Sequence, residues 1–221
     1  MDWQALAVTL RLGVWTSLVL LPFGIWLGRL MAYRAFPGRS FAETLIAVPL
    51  VLPPTAIGFY LLVALGAGSP VGRALDAVFG APLAFSFAGL LVASVFVNIP
   101  FAVQPIQRAF EAIPVHVREA AACCGMSPWT RLVRVELPLA WPGIVTAFVL
   151  TFAHTLGEFG VVLMVGGNLP GETRTISIAI YDSLQSFNDE GAALMAMVLL
   201  AIVLVALSAT TALSRRVGRR G

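Results

Sequence analysis

The chain contains no lysine, only two histidines and two cysteines, and just 11% of its residues are charged. Each shortage closes off a class of function. A phosphate-binding loop of the form GxxxxGK[ST] needs its lysine, so no nucleotide site of that kind is present. No nucleophile–base constellation stands out either, and the chain is not expected to be an enzyme by itself. The two cysteines, Cys123 and Cys124, are adjacent. Neighbouring residues rarely form a strain-free disulfide, and two thiols without further partners fall short of a zinc site. They read as small packing residues, and no metal or cofactor is expected. Nucleic acid is not an expected partner. The formal charge of +3 rests on arginines, and these cluster at the ends of apolar runs rather than on one face with aromatic neighbours.

What the chain does have is apolar length. Hydrophobic residues make up 59% of it, with a mean hydropathy of +0.91, whereas a soluble domain is typically about 25% charged. Such a chain belongs in a lipid bilayer. Crossing the hydrocarbon core takes about 20 apolar residues in a helix. Five stretches qualify, at about residues 10–33, 44–65, 83–104, 142–165 and 192–212. They lack the alternation of barrel strands, and lipid cannot satisfy an open backbone. The expected fold class is therefore all-α: a polytopic transmembrane helical bundle of about five spans, one domain over residues 1–221. No cleavable signal peptide is read, because Arg11 interrupts the first apolar stretch.

Arginine placement orients the bundle. Arg29, Arg34, Arg39, Arg108, Arg118, Arg131, Arg134, Arg215, Arg216, Arg219 and Arg220 fall on one side, against Arg11, Arg73 and Arg174 on the other. By the positive-inside rule the N-terminus is outside and the C-terminus cytoplasmic. Two outer loops follow, a short Gly-rich one at 66–82 and a polar one at 166–191, whose stretch 175–187 reads as a short helix. Residues 1–8 read as an interfacial helix anchored by Trp3.

The long inner loop carries the most specific local pattern. A short helix at about 115–124 presents Arg118 and Glu119 among alanines, so a partner surface can approach closely. Gly125 stands where a helix end favours a left-handed residue. Ser127-Pro128 reads as an N-cap followed by proline at the first helical position. Helix, sharp turn and second helix make a rigid knob. In full, Glu119-Ala120-Ala121 is followed by three residues, Gly125, nine residues, Val135, one residue and Leu137-Pro138. This resembles the EAA loop of ABC importer permeases, with Val135 where that family usually has Ile.

The segment VPLVLPPTAIGFYLLVALG and the stretch Gly157-Glu158-Phe159-Gly160 resemble the molybdate branch of that family. The second stretch is shared with sulfate and tungstate permeases. The resemblance implies the type I importer permease fold in the cell inner membrane, with a coupling loop at about 106–138 that docks on the ATPase. It implies a homodimer with its pathway at the two-fold interface, two cytoplasmic ABC ATPase subunits and an external molybdate-binding protein. Sulfate or tungstate transport is the alternative within the class. A self-sufficient secondary transporter is the alternative outside it, and that class predicts charged relays or inverted repeats, which are not seen.

Inside the spans, Pro22, Pro49, Pro53, Pro54, Pro100 and Pro105 each remove a backbone donor. The cluster ending in Pro53-Pro54 marks the second span as the candidate bent, pore-lining helix. No arginine lies at a span centre, so an oxyanion would meet chiefly hydroxyls and backbone dipoles; Thr55, Ser94, Asn98, Thr151 and Thr155 are the candidates. Helix–helix hydrogen bonding is the alternative role for each. Glu158, four residues after His154, is the one acidic residue deep in an expected span. A bare carboxylate would repel an anion. It is therefore neutral, or hydrogen-bonded away from the axis, or placed at the outer mouth, with a structural or gating role favoured over direct contact with cargo.

Overall fold

A computed structural model describes residues 1–218, with side chains throughout except at 76, 79 and 210–218. Arg219 and Arg220 lie outside the described residues, and nothing is described of the side chains of Arg215 and Arg216. Among the described residues every regular element is a helix. In chain order these are α1 (Trp3–Tyr33), α2 (Arg39–Val51), α3 (Pro54–Leu65), α4 (Pro70–Phe79), α5 (Phe87–Glu111), α6 (Val115–Cys123) and α7 (Pro128–Arg131). A π-helical turn, Leu132–Glu136, leads on into α8 (Leu137–Gly157), followed by α9 (Gly160–Gly166), α10 (Ile176–Gln185) and α11 (Asp189–Gly218).

Among the described residues, four helices are long and apolar enough to cross a membrane: Trp3–Tyr33, Phe87–Glu111, Pro128–Gly157 and Asp189–Ala209. Where a fifth span was expected there are two shorter helices, α2 and α3, meeting at 109°. Consecutive prolines cause the break. Residues before proline are pushed out of the helical region, so Leu52 and Pro53 are extended, at ψ 141° and 132°. Pro54 then starts α3 at the position where a missing N–H costs nothing. Pro22, Pro49, Pro100 and Pro105 are instead carried inside continuous helices.

Three sequence expectations need correction. Residues 1–8 do not form a separate interfacial helix; Asp2 caps α1 by accepting from the Ala5 amide at 2.9 Å, and the helix runs on unbroken. The Gly-rich stretch at 66–82 holds a helix, α4. The stretch 142–165 is not one span: α8 ends at Gly157, Glu158 is extended, and α9 begins at Gly160. The short helix expected within 175–187 is present as α10, after an extended Thr175.

The bundle is held by close approach as much as by bulk. α5 packs against both α1 and α8. Without an aqueous driving force, membrane helices associate through small residues that let backbones meet. Gly24 and Gly28, one turn apart on α1, face Ala102 and Ile106 of α5. Gly143 of α8 lies so near α5 that an added Cβ would sit 2.3 Å from the Ala109 Cβ and 2.8 Å from the Pro105 carbonyl. Apolar clusters fill the rest. Ile106, Phe110, Ile113, Ala140 and Ala147 gather at the α6–α7 end, and Ala5, Leu6, Ile176, Ala179 and Met195 at the opposite end.

This packing yields a direct expectation. Gly143→Val forces α8 off α5, and overpacking of this kind costs about 1–3 kcal/mol. The variant is expected to unfold at lower temperature in detergent and to accumulate less in membranes. An unchanged melting temperature would contradict the close approach.

Candidate functional site

The hairpin at the α6–α7 end has the expected local geometry. α6 closes in a Schellman motif: the Met126 amide donates to the Ala121 carbonyl at 3.2 Å and the Gly125 amide to Ala122 at 2.9 Å. Gly125 holds the required left-handed conformation at φ +75°. Ser127 caps α7 by accepting from the Thr130 amide at 3.2 Å, with Pro128 at the first helical position. The motif residues divide by face. Ala121 is buried and Leu137 packs on the apolar cluster at this end. Glu119, Ala120 and Pro138 are exposed, beside Val115 and a Trp129 that is 72% exposed. Cys123 and Cys124 are both exposed, so the expectation that they serve as packing residues is not met within this chain. Cys123 ends α6 one turn after Glu119 and Ala120, which are also exposed, and Cys124 is its C-cap.

Behind that exposed face lies a feature that the sequence reading missed. Glu136, the residue between Val135 and Leu137-Pro138, is 0% exposed. Three guanidinium groups from three elements converge on its carboxylate. Arg29 of α1 places Nε 2.5 Å from Oε2, Arg131 of α7 places Nε 3.2 Å from Oε1, and Arg118 of α6 places Nε 3.5 Å from the same oxygen. The Arg118 guanidinium also stacks on the Tyr33 ring at 3.4 Å, and the Tyr33 hydroxyl donates to the Phe110 carbonyl of α5 at 2.9 Å. Removing one partner of a buried pair costs about 3–5 kcal/mol, because it strands the other charge. The available sequence signal was an acid close to Arg131 and Arg134 in a loop that also carries Arg118; the contribution of Arg29, 107 positions away, was not readable.

A second region lies in the body of the bundle, where the two span breaks meet. Gly160 opens α9 against Pro54 and Thr55 at the start of α3, and α3 packs along α9. Pro49, Pro54, Thr55, Ile57, Val97, Ala153, His154, Gly157 and Glu158 line a cavity of about 520 Å³ there. Of the pathway candidates, the structure brings Pro54, Thr55 and Glu158 together on this cavity. Pro53 is exposed at the break beside them.

Asn98 reaches the cavity through His154. Its amide donates to the Ser94 carbonyl at 2.8 Å, which orients the side chain, and its Oδ1 lies 3.0 Å from His154 Nδ1. The imidazole therefore carries its proton on Nδ1 toward Asn98. Phe101 stacks on the ring at 4.0 Å. The Ser94 hydroxyl lies 3.5 Å from Glu158 Oε2, and Oε1 has no hydrogen-bond partner. Thr151 and Thr155 lie apart from the cavity, buried on α8, and Thr155 donates back to the Thr151 carbonyl at 2.8 Å. His154 and Glu158 do not share a helical face, since the helix ends between them.

Comparison with known proteins follows the same lines. Residues 21–219 match the family described as binding-protein-dependent transport system inner membrane component. The chain is 45% identical, over 84% of its length and 82% of the relative's, to the molybdenum transport system permease protein ModB of Azotobacter vinelandii. It is 36% identical to ModB of Escherichia coli K12, over 97% of this chain and 94% of that one. The sulfate transport system permease protein CysT of the same organism is 32% identical, over 90% of this chain and 71% of that one. Among solved structures, a bacterial ABC transporter that imports alginate superposes at TM-score 0.76 and 19% identity, covering 96% of this chain and 78% of that one. The MetNI methionine transporter superposes at TM-score 0.69 and 19% identity, covering 98% and 94%. These two show the shared fold.

The cavity supports one prediction. Glutamine at position 158 keeps the shape of the side chain and an oxygen for Ser94, whereas alanine leaves the hydroxyl unsatisfied beside a void, at about 1–3 kcal/mol. Glu158→Gln is expected to keep most uptake and Glu158→Ala to lose most of it, at equal membrane levels. Equal loss in both would mean that the carboxylate charge itself is needed.

Proposed function

The chain belongs to the family of binding-protein-dependent transport system inner membrane components, and on that premise we propose that it is the membrane-spanning permease subunit of an ATP-driven ABC importer of molybdate. The observation that carries the reading is the joint presence of a capped α6–α7 hairpin bearing the Glu119-to-Pro138 pattern and likeness to molybdenum permeases across most of the chain. Two copies would form the pathway, each turning its broken-span cavity toward the two-fold axis. The apolar faces of α2 and α3, with Phe41, Leu45, Val51 and Tyr60 exposed, suit such an interface or lipid. Two cytoplasmic ATPase subunits would seat on the hairpins of the dimer, and an external molybdate-binding protein would deliver the oxyanion at the α10 end. The N-terminus then lies outside and the C-terminus in the cytoplasm.

The chemistry of the cavity suits conduction rather than tight capture. Among the described residues no arginine lines it. A divalent oxyanion would meet the Thr55 hydroxyl, the His154 ring and backbone dipoles at the helix breaks, and these do little to offset dehydration. Affinity would rest with the external protein, and work with the ATPases. Their closure would shift the hairpins and switch the cavity between the two membrane faces, which is alternating access.

Reconstitution tests the whole. The purified subunit in liposomes is expected neither to bind molybdate at micromolar concentration nor to transport it. Uptake is expected only with ATPase, binding protein and ATP together. Competing sulfate and tungstate separate the substrates: complete inhibition of molybdate uptake by equimolar sulfate would favour the sulfate alternative. Uptake driven by an ion gradient alone would favour a secondary transporter.

The hairpin has its own test. Glu119→Ala removes an exposed charge from the proposed docking face, and Gly125→Val places a β-branched residue at φ +75°. Both variants are expected to insert but to lose ATPase co-purification and at least ten-fold of uptake. Normal uptake in both would refute the docking assignment.

A further inference from the structure

We propose that Glu136 is the positioning residue that couples the docking hairpin to the spans, its buried carboxylate tying α1, α6 and α7 to the foot of α8 as one rigid body. The proposal rests on the reading of α6–α7 as the ATPase-docking hairpin. Apolar attachment of that hairpin is thin: Ala121 is the only buried residue of α6, and α7 has none. A push on such a knob would dissipate in its loops unless something stiffer linked it to the membrane helices. The hub of Glu136 with Arg29, Arg118 and Arg131 is that link. Tyr33 extends it, stacked under Arg118 and hydrogen-bonded to α5.

The backbone is arranged for the same task. The π turn Leu132–Glu136 takes up an extra residue, a device concentrated at functional sites. It brings Glu136 onto the stripe that α8 continues through Ala140, Ala147, Thr151 and Thr155, all buried. This stripe ends where α8 breaks at Glu158, beside the cavity. Displacement of the docking face is thereby delivered along α8 to the point where the span is hinged.

The test removes one arm of the hub from outside the hairpin. Arg29→Gln leaves Glu136 paired with Arg118 and Arg131. The full complex is labelled with spin probes at the native Cys123, in a Cys124→Ser background, and at Trp26→Cys on the exposed side of α1. The wild-type hub is expected to give one narrow distance distribution. Arg29→Gln is expected to broaden it, to keep the ATPase bound, and to cut binding-protein-stimulated ATP hydrolysis at least ten-fold. Arg29→Lys keeps a point charge but loses the paired contacts of Nε with Oε2 and of Nη2 with Oε1 at 3.4 Å, and is expected to recover part of both. A narrow distribution with normal stimulation in Arg29→Gln overturns the proposal, and so does loss of the bound ATPase, which would make the hub merely a support for the docking face. Should Arg29→Gln not accumulate, Arg131→Gln is read in the same way. The distance measurement needs no substrate, so an error in the substrate leaves it unaltered. An error in the docking reading shows earlier, as failure of the unmutated subunit to hold the ATPase.

Discussion

In hydrocarbon there is no water to satisfy a free amide or carbonyl, so a chain that crosses a membrane can abandon helix only where protein covers the gap. That constraint governs where this bundle is allowed to break. Pro53 and Pro54 have no N–H to leave stranded, and the Pro53 carbonyl accepts from Ala56 and Ile57 at 2.9 and 3.2 Å. At the other break the Glu158 amide reaches back to Thr155 at 3.4 Å, and Phe159 accepts from Leu163 at 2.9 Å. Each interruption is closed by its own local bonds; the α8–α9 break is also covered, with Glu158 buried and Gly160 lying against Pro54 and Thr55, whereas residues 51–55 at the other break stay exposed on the single chain. Two breaks that would each be costly alone become one feature, and the cavity between them is its by-product.

The same constraint leaves α5 as an unbroken helix at the centre of the packing. It touches α1 and α8 along small residues and meets α9 at the second break. Pro100 and Pro105 sit inside it without interrupting it, so proline content alone does not identify a hinge. Consecutive prolines do, because the first pushes its predecessor out of the helical region and the second forces the first out as well.

Much of this was legible from residue order. Apolar length marked the four long helices and the bent α2–α3 pair, and the glycine and Ser-Pro signals of the hairpin were local, so Gly125 and Ser127 took the conformations their chemistry favours. What stayed hidden depended on distant partners. The end of α8 at Gly157 was unreadable, since residues 142–165 form one apolar run and only contact with α3 shows why Gly160 is needed. Glu136 was passed over because it lies in the polar loop, where an acid is expected to be solvated. Its burial follows from Arg29, whose reach across the fold no local pattern encodes.

The distribution of charge then has a physical logic under the proposed function. Charged groups held out of water are strongly coupled to their partners and resist separation, which suits a joint that must carry force without slipping. The same groups along a route for a divalent anion would trap it if cationic and exclude it if anionic. A fully buried carboxylate sits at the hairpin, with three arginines around it. In the cavity the chain keeps a single carboxyl without a cation partner, beside hydroxyl, amide and imidazole groups. Force transmission and passage of cargo ask for opposite electrostatics. A span that runs from Glu136 at one end to the break at Glu158 serves both by keeping them at its two ends.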